Sequence, residues 1–227
     1  MRDKNIVWLY LYLLACFLDL YFIIDNLESY RIYSKPLIMI SLGVYFWQIS
    51  KNIAGTLIRK MILGAIVFSW LGDVLLIFPA FFLYGLGAFL VAHLCYIISF
   101  KISQQKPFEI GNVNFIKLFL YNLPICILAA YVYFLIQFNL GSLKIPVITY
   151  MLVLVAMVTI SRERFNKTNP SSFWQVFLGA LFFLVSDGIL AINMFYQSFP
   201  ESGVLVMGTY TIAQLLIIMG IRAHYIR

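Results

Sequence analysis

Long apolar runs, separated by short polar segments, occupy almost the whole chain. These runs predict helices near residues 6–24, 34–50, 58–77, 79–100, 113–137, 145–161, 172–196 and 203–221. Their lengths are close to the roughly 20 residues that a helix needs to cross the hydrocarbon core of a bilayer. The pattern therefore predicts an all-α polytopic membrane bundle of eight transmembrane helices, formed by a single domain over residues 1–227.

The composition agrees with a membrane protein. Hydrophobic residues make up 63% of the chain and charged residues only 11%, whereas about 25% of the residues in a soluble domain are charged. The net charge of +7 would favour nucleic-acid binding in a soluble protein, but here it is assigned to loops that orient the chain. We therefore expect the lipid bilayer as a partner and no nucleic acid.

Lysine and arginine are unevenly divided between the two sets of loops. The termini and the connections after the second, fourth and sixth helices hold 13 of them: Arg2, Lys4, Lys51, Arg59, Lys60, Lys101, Lys106, Lys117, Arg162, Arg164, Lys167, Arg222 and Arg227. The opposite side holds three, which are Arg31, Lys35 and Lys144. Because short loops rich in lysine and arginine stay in the cytoplasm, both termini are predicted to be cytoplasmic, at the inner membrane if the source is bacterial.

The two halves of the chain resemble each other. Residues 63–76 read LGAIVFSWLGDVLL and residues 178–190 read LGALFFLVSDGIL, so each has a Leu-Gly-Ala start and a lone aspartate. The Ala-His-Leu at residues 92–94 corresponds to the Ala-Gln-Leu at residues 213–215. These echoes predict a parallel 4+4 repeat with halves near 1–110 and 111–227, although chance similarity between apolar helices remains the alternative.

A few polar residues interrupt the predicted spans. A carboxylate in the middle of a span costs roughly 2.5–3.5 kcal/mol on insertion scales, so such residues usually have a function. Asp19, Asp73, Asp187 and Lys35 all fall in the outer halves of their spans, which predicts a shared polar cavity accessible from the outer side. The alternative is a structural ion pair between Lys35 and one aspartate. The other candidates for the cavity are His93, Tyr84, Tyr150 and Tyr210.

Several chemistries lack their motifs. The chain has no GxSxG and no HExxH, and its two histidines cannot form a three-histidine zinc site. We therefore expect no metal, no cofactor and no serine nucleophile.

The motifs around the aspartates are similar to those of a known family. Ser34-Lys35-Pro36-Leu37, GAIVFSWLGDVLL, the stretch from Gly85 to His93 with Tyr96, and GALFFLVSDGILA resemble the YhhN family, whose characterised members are lysoplasmalogenases. The resemblance implies an eight-helix enzyme that hydrolyses the vinyl ether bond of lysoplasmalogens. Its products would be a fatty aldehyde and glycerophosphoethanolamine or glycerophosphocholine. It also implies Asp73 and Asp187 as catalytic residues, with Lys35 and His93 at matching motif positions.

Two carboxyl groups suit this chemistry because vinyl ethers are hydrolysed by acid. One carboxylic acid would protonate the β-carbon, and the other, ionised, would stabilise the resulting oxocarbenium ion and orient water. Asp187 is favoured as the acid, and Lys35, placed at the outer surface, is expected to bind the headgroup phosphate. Two other classes stay open: a proton-coupled transporter of a lipid or small solute, and a non-catalytic binder.

Overall fold

The structure is a computed structural model that describes residues 2–104 and 115–225. Those residues form eight α-helices, joined by short loops and single 3₁₀ turns, and no strand occurs in the described ranges. The helices are α1 Arg2–Ile24, α2 Arg31–Ile49, α3 Leu57–Leu75, α4 Phe82–Ile102, α5 Phe115–Ile136, α6 Lys144–Arg162, α7 Pro170–Phe195 and α8 Ser202–Tyr225. The all-α prediction is therefore confirmed. The predicted start of the fifth helix at residue 113, Lys106, Arg227 and the boundary between the predicted repeat halves lie outside the described residues.

Five segments are long and apolar enough to cross a membrane. They are Asn5–Ile24, Pro79–Ile102, Gly141–Arg162, Pro170–Phe195 and Ser202–Tyr225. A shorter apolar stretch of α5 runs from Leu120 to Ile136. The two remaining helices, α2 and α3, carry the charges that sequence analysis assigned to the site and to the loop between them. The chain is an integral membrane protein, and the count of eight spans stays a prediction.

The starts of two helices follow from their local sequence. Thr56 precedes α3, and its hydroxyl accepts a hydrogen bond from the backbone N–H of Arg59 at 3.4 Å. Asn169 caps α7 in the same way, accepting from Ser171 at 3.0 Å, and Pro170 occupies the first helical position. Both arrangements satisfy backbone donors that the first turn of a helix leaves without a partner.

Small residues bring the helices close together. The most extensive contacts are between α7 and α8, followed by α3 with α4 and α1 with α2, whereas α5 touches α6 and α7 only sparsely. A side chain at Gly179 would lie 2.9 Å from the carbonyl oxygen of Ala213, and one at Gly220 would lie 3.0 Å from that of Ser172. Glycine is therefore required for the tight α7–α8 contact, as in other membrane helix pairs.

The two ends of the bundle differ in character. At the end where α6 joins α7, the buried guanidinium of Arg164 donates to the hydroxyls of Ser103 at 2.9 Å and Ser172 at 2.8 Å. Burial lowers the pKa of Arg164 to about 10. Beside it, Lys101 forms an ion pair with Glu163 at 3.0 Å. This end is held together by side-chain contacts, whereas the other end contains a large cavity.

Candidate active site

A cavity of about 580 Å³ lies at the end of the bundle that carries the α1–α2, α3–α4 and α7–α8 connections. Its walls are mostly apolar and come from all eight described helices and these connections. The polar and charged side chains on the walls are Asn26, Glu28, Arg31, Lys35, Asp73, Tyr131, Tyr150, Ser186, Asp187, Asn193, Ser202 and Tyr210. The prediction that Asp73, Asp187 and Lys35 face one cavity therefore agrees with the geometry. Asp19, expected with them, does not line it.

Asp73 is buried near the end of α3 between a lysine and a tyrosine. Its Oδ2 accepts a hydrogen bond from the hydroxyl of Tyr210 at 2.6 Å, and its Oδ1 lies 3.9 Å from the ammonium of Lys35. Phe89 packs its ring against the backbone of Gly72, where an added Cβ would lie only 2.6 Å from the ring. The absence of a side chain at Gly72 thus lets α4 close over the segment that carries Asp73.

Asp187 is set differently on α7. Its Oδ2 accepts a hydrogen bond from the hydroxyl of Tyr150 at 2.5 Å. Among the residues that the structure describes, no lysine or arginine forms an ion pair with Asp187. The two carboxyl groups therefore face the same cavity, and each accepts a hydrogen bond from its own tyrosine. Only Asp73 has a cation beside it.

An aromatic wall connects the two tyrosines. The ring of Phe183 lies 5.5 Å from that of Tyr210 and 4.7 Å from that of His93, and His93 lies 5.3 Å from Tyr150, measured between ring centroids. His93 is completely buried, and neither of its nitrogens has a hydrogen-bond partner in the described part of the chain. His93 thus lies behind Tyr150 and does not line the cavity itself.

The structure places Lys35 deeper than expected from the sequence. Sequence analysis put this lysine at the outer surface, at the start of a helix near residue 34. Helix α2 instead begins at Arg31, so Lys35 lies in its second turn, where its side chain is only 10% exposed. The outer position belongs to Arg31, which sequence analysis counted only as a loop charge.

Tyr84 lies apart from the other candidates. Its side chain is 68% exposed on α4, it packs against Phe81 with ring centroids 6.2 Å apart, and it does not line the cavity. It faces away because α4 turns its small residues, including Gly85 and Ala88, toward the bundle. Tyr84, predicted to bind substrate, therefore lies outside the cavity.

Three further cavity residues, Asn26, Glu28 and Arg31, were missed as site candidates. Asn26 and Glu28 belong to the connection between α1 and α2 and Arg31 is the first residue of α2, whereas the sequence pattern indicates only a polar loop at all three positions. Arg31 bonds to Asp19 and Glu28, and these contacts depend on the folding of the loop. The one available signal was that Arg31 stands four residues before Lys35, so both fall on one face of a helix.

The residues of this site do not form a metal-binding cluster. The part of the chain that the structure describes contains no group of three histidine, cysteine, aspartate or glutamate side chains placed to hold an ion. The polar groups that line the cavity are carboxyl, hydroxyl, amide, ammonium and guanidinium groups.

Fold and site together define a helical integral membrane protein with two carboxyl groups in one cavity. The chain belongs to the YhhN family, which it matches over residues 30–221. It is 32% identical over 215 residues to human lysoplasmalogenase TMEM86B, covering 92% of this chain and 84% of that protein. It is also 30% identical over 168 residues to the lysoplasmalogenase of Mycobacterium bovis, covering 71% and 60%. No solved structure matches.

Proposed function

We propose that this protein is a lysoplasmalogenase, which hydrolyses the vinyl ether bond of a lysoplasmalogen to a fatty aldehyde and a glycerophosphoethanolamine or glycerophosphocholine. The observation that carries the proposal is the pair of carboxyl groups, the buried Asp73 and the half-buried Asp187, in one largely apolar cavity. The activities of the mammalian and mycobacterial relatives support it.

The reaction requires a proton on carbon. Asp187 delivers its proton to the β-carbon of the vinyl ether, which leaves an oxocarbenium ion on the adjacent carbon and a carboxylate on Asp187. Water adds to the cation, and the proton it loses restores the acid on Asp187. The hemiacetal then collapses to an aldehyde and the glycerol hydroxyl. The ionised carboxylate of Asp73 stabilises the cation and orients the water, as the second carboxylate of a glycosidase does.

The assignment of roles follows from the neighbours of each aspartate. The ammonium of Lys35 compensates the negative charge of Asp73, whereas only a neutral hydroxyl contacts Asp187 in the described structure. A carboxyl group that faces an apolar cavity without a cation beside it is more stable in its neutral form. Asp187 is therefore the acid and Asp73 the carboxylate. Lys35 belongs to the reaction centre, beside Asp73, and does not bind the headgroup phosphate.

The same proposal includes the membrane topology. All eight helices cross the bilayer, the two halves form a 4+4 repeat, and the termini lie in the cytoplasm, so the cavity faces the outer side. The uneven distribution of lysine and arginine supports this orientation. Alkaline phosphatase and fluorescent-protein fusions after residue 227 test it: fluorescence without phosphatase activity is expected, and the reverse result would invert the placement of the cavity.

The activity itself is tested with purified protein in detergent. The protein is incubated with lysoplasmenylethanolamine and with its ester analogue, and aldehyde and fatty acid are measured. We expect aldehyde from the vinyl ether and no fatty acid from the ester, because proton delivery to carbon has no role in ester cleavage. If folded, purified protein releases no aldehyde, the proposal is refuted. Proton-coupled flux into proteoliposomes would then identify a transporter.

A further inference from the structure

The mouth of the cavity carries a charge pair that the proposed reaction does not use. Glu28 and Arg31 both line the cavity at the α1–α2 connection, and Lys35 lies one helical turn deeper, beside Asp73. Four residues of helix rise by about 6 Å, which is comparable to the length of a glycerol backbone. A lysophospholipid with its ether oxygen near Asp73 therefore places its headgroup near Glu28 and Arg31.

Arg31 is held in place from behind. Its Nε and Nη2 each donate to a carboxylate oxygen of Asp19 at 3.4 Å, and Asp19 also accepts a hydrogen bond from the hydroxyl of Ser34 at 2.7 Å. Asp19 is completely buried. The guanidinium has five N–H donors, so this contact fixes its plane and leaves donors available on its other edge. A fixed guanidinium edge is well suited to a phosphate, which it binds through two parallel hydrogen bonds.

Glu28 faces that free edge. Its carboxylate oxygen lies 3.6 Å from Nη1 of Arg31, and its side chain is 75% exposed. Charge-assisted hydrogen bonds are about 2.7–2.9 Å long, so this pair is loose enough to open for a ligand. An ammonium group entering with a phosphate would replace Arg31 as the partner of Glu28.

We infer that Arg31 and Glu28 form a binding site for zwitterionic headgroups, in which Arg31 binds the phosphate and Glu28 the ammonium group of ethanolamine or choline. The inference rests on the proposed function, since it assigns the headgroup end of the same substrate. The site also rejects a lysophospholipid whose headgroup has no amine, because the carboxylate of Glu28 then faces an uncompensated phosphate.

The role of Glu28 is tested with the variant Glu28→Gln. The kcat/KM for aldehyde release is compared between lysoplasmenylethanolamine and 1-alkenylglycerol 3-phosphate, which lacks the amine. We expect the wild type to prefer the amine, and Glu28→Gln to reduce this preference by about threefold, the size of an exposed ion pair. The matched control is Asp25→Asn, an exposed carboxylate in the same connection that does not line the cavity.

The role of Arg31 is tested with Arg31→Gln and with Arg31→Lys, which keeps a cation for Asp19 and preserves folding. Either change should raise KM by about tenfold for both phosphate-bearing substrates and leave 1-alkenylglycerol, which has no phosphate, unaffected. The control Lys144→Gln alters an exposed cation at the same end of the bundle outside the cavity.

The outcomes separate the headgroup site from the activity. If wild-type protein releases aldehyde but Glu28→Gln and Asp25→Asn have the same amine preference, the headgroup site is wrong and the proposed activity stands. An equal rise in KM for Arg31→Lys on 1-alkenylglycerol would also overturn it. If wild-type protein releases no aldehyde from any of the three substrates, both the proposed function and the headgroup site are wrong.

Discussion

The two carboxyl groups of the cavity come from matching sequence motifs but have different surroundings. Asp73 on α3 and Asp187 on α7 each follow a Gly-Ala segment, and each accepts a hydrogen bond from a tyrosine hydroxyl. Only Asp73 has a lysine beside it, at 3.9 Å from Lys35. Two carboxyl groups with similar local sequences thus have different environments, one suited to a charge and one to a neutral acid.

This difference matters because the charged and neutral forms of a carboxyl group differ strongly in free energy inside a membrane. A buried charge without a partner is costly, and a buried pair relieves that cost only while both members remain. In the proposed mechanism, the lysine therefore determines which aspartate keeps its negative charge. Proteins that divide acid and base roles between two carboxyl groups commonly do so by giving them unlike environments.

A second matched pair in the predicted repeat shows the same divergence. Gln214 on α8 accepts from the hydroxyl of Tyr96 at 2.6 Å and donates to Ser69 at 3.1 Å, so both ends of its amide are satisfied. His93, at the corresponding position of α4, is equally buried and has no hydrogen-bond partner in the described residues. The glutamine holds helices together, whereas the histidine packs its ring behind Tyr150.

Replacing either carboxyl group should have the largest effect on activity. Asp187→Asn and Asp73→Asn should each lower kcat by at least about 10²-fold, the lower bound for acid–base groups, because an amide neither protonates carbon nor balances a cation. The double variant should be little worse than either single one, since both groups act on one transition state. Aldehyde release under single-turnover conditions measures this, and it avoids a limit set by product release.

The control for these variants is Asp19→Asn, at a completely buried carboxylate that contacts Arg31 and does not line the cavity. It should keep kcat within a few-fold of the wild type and change mainly KM. Near-normal kcat in a well-folded Asp73→Asn or Asp187→Asn protein would instead support a structural ion pair.

Removing the lysine sharpens the comparison. Lys35→Met should destabilise the protein by about 3 kcal/mol, the lower end for breaking a buried ion pair, because it leaves the charge of Asp73 uncompensated. Adding Asp73→Asn should recover most of that loss, whereas adding Asp187→Asn should recover none. Thermal unfolding of the wild type, Lys35→Met and the two double variants in one detergent measures the loss and its recovery. Equal recovery by both asparagines would mean that Lys35 does not distinguish the two carboxyl groups.

The two tyrosines should also differ in how much each contributes to stability, but by a smaller amount. Tyr210→Phe removes a hydrogen bond to a charged group and should cost about 2 kcal/mol of stability, whereas Tyr150→Phe removes one to a neutral acid and should cost about 1 kcal/mol. Both tyrosines are buried, and phenylalanine has the same ring and fits either site. The same thermal unfolding assay ranks them, and a larger loss for Tyr150→Phe would reverse the assignment of charges.

Inhibitors of other mechanisms should have the smallest effect. If the two carboxyl groups carry the chemistry, neither EDTA nor a serine-directed fluorophosphonate should change the rate of aldehyde release measurably. A known zinc hydrolase and a known serine esterase in the same detergent provide the positive controls. Loss of activity with EDTA and its recovery with zinc would show that the reaction needs a metal ion in addition to the two carboxyl groups.

The sequence predicts much of the fold because the bilayer imposes simple rules. Apolar runs locate the helices to within a few residues, and Asp73, Asp187 and Lys35 stand out because charges inside such runs are rare. The start of α2 was placed three residues late, since Arg31 and Tyr33 bring polar groups into its first turn. Because of that error, Lys35 was predicted at the surface and Arg31 was predicted in a loop.

The partners of the site residues were beyond reach of the sequence. Tyr210 is 137 residues from Asp73, and Tyr150 is 37 residues from Asp187, so their contacts depend on how four helices pack. Fifteen tyrosines occur in the chain, and nothing in the local pattern distinguishes these two from Tyr84, which faces outward. The charge difference between the aspartates appears only once Lys35 is placed beside one of them.

The charge states of Asp73 and Asp187 are the central claim, and infrared spectroscopy observes them directly. A protonated carboxylic acid has a C=O stretching band that a carboxylate lacks and that shifts in D₂O. We predict that the wild-type protein shows such a band at neutral pH, that Asp187→Asn removes it, and that Asp73→Asn leaves it in place. A band that persists in Asp187→Asn and disappears in Asp73→Asn would contradict the account.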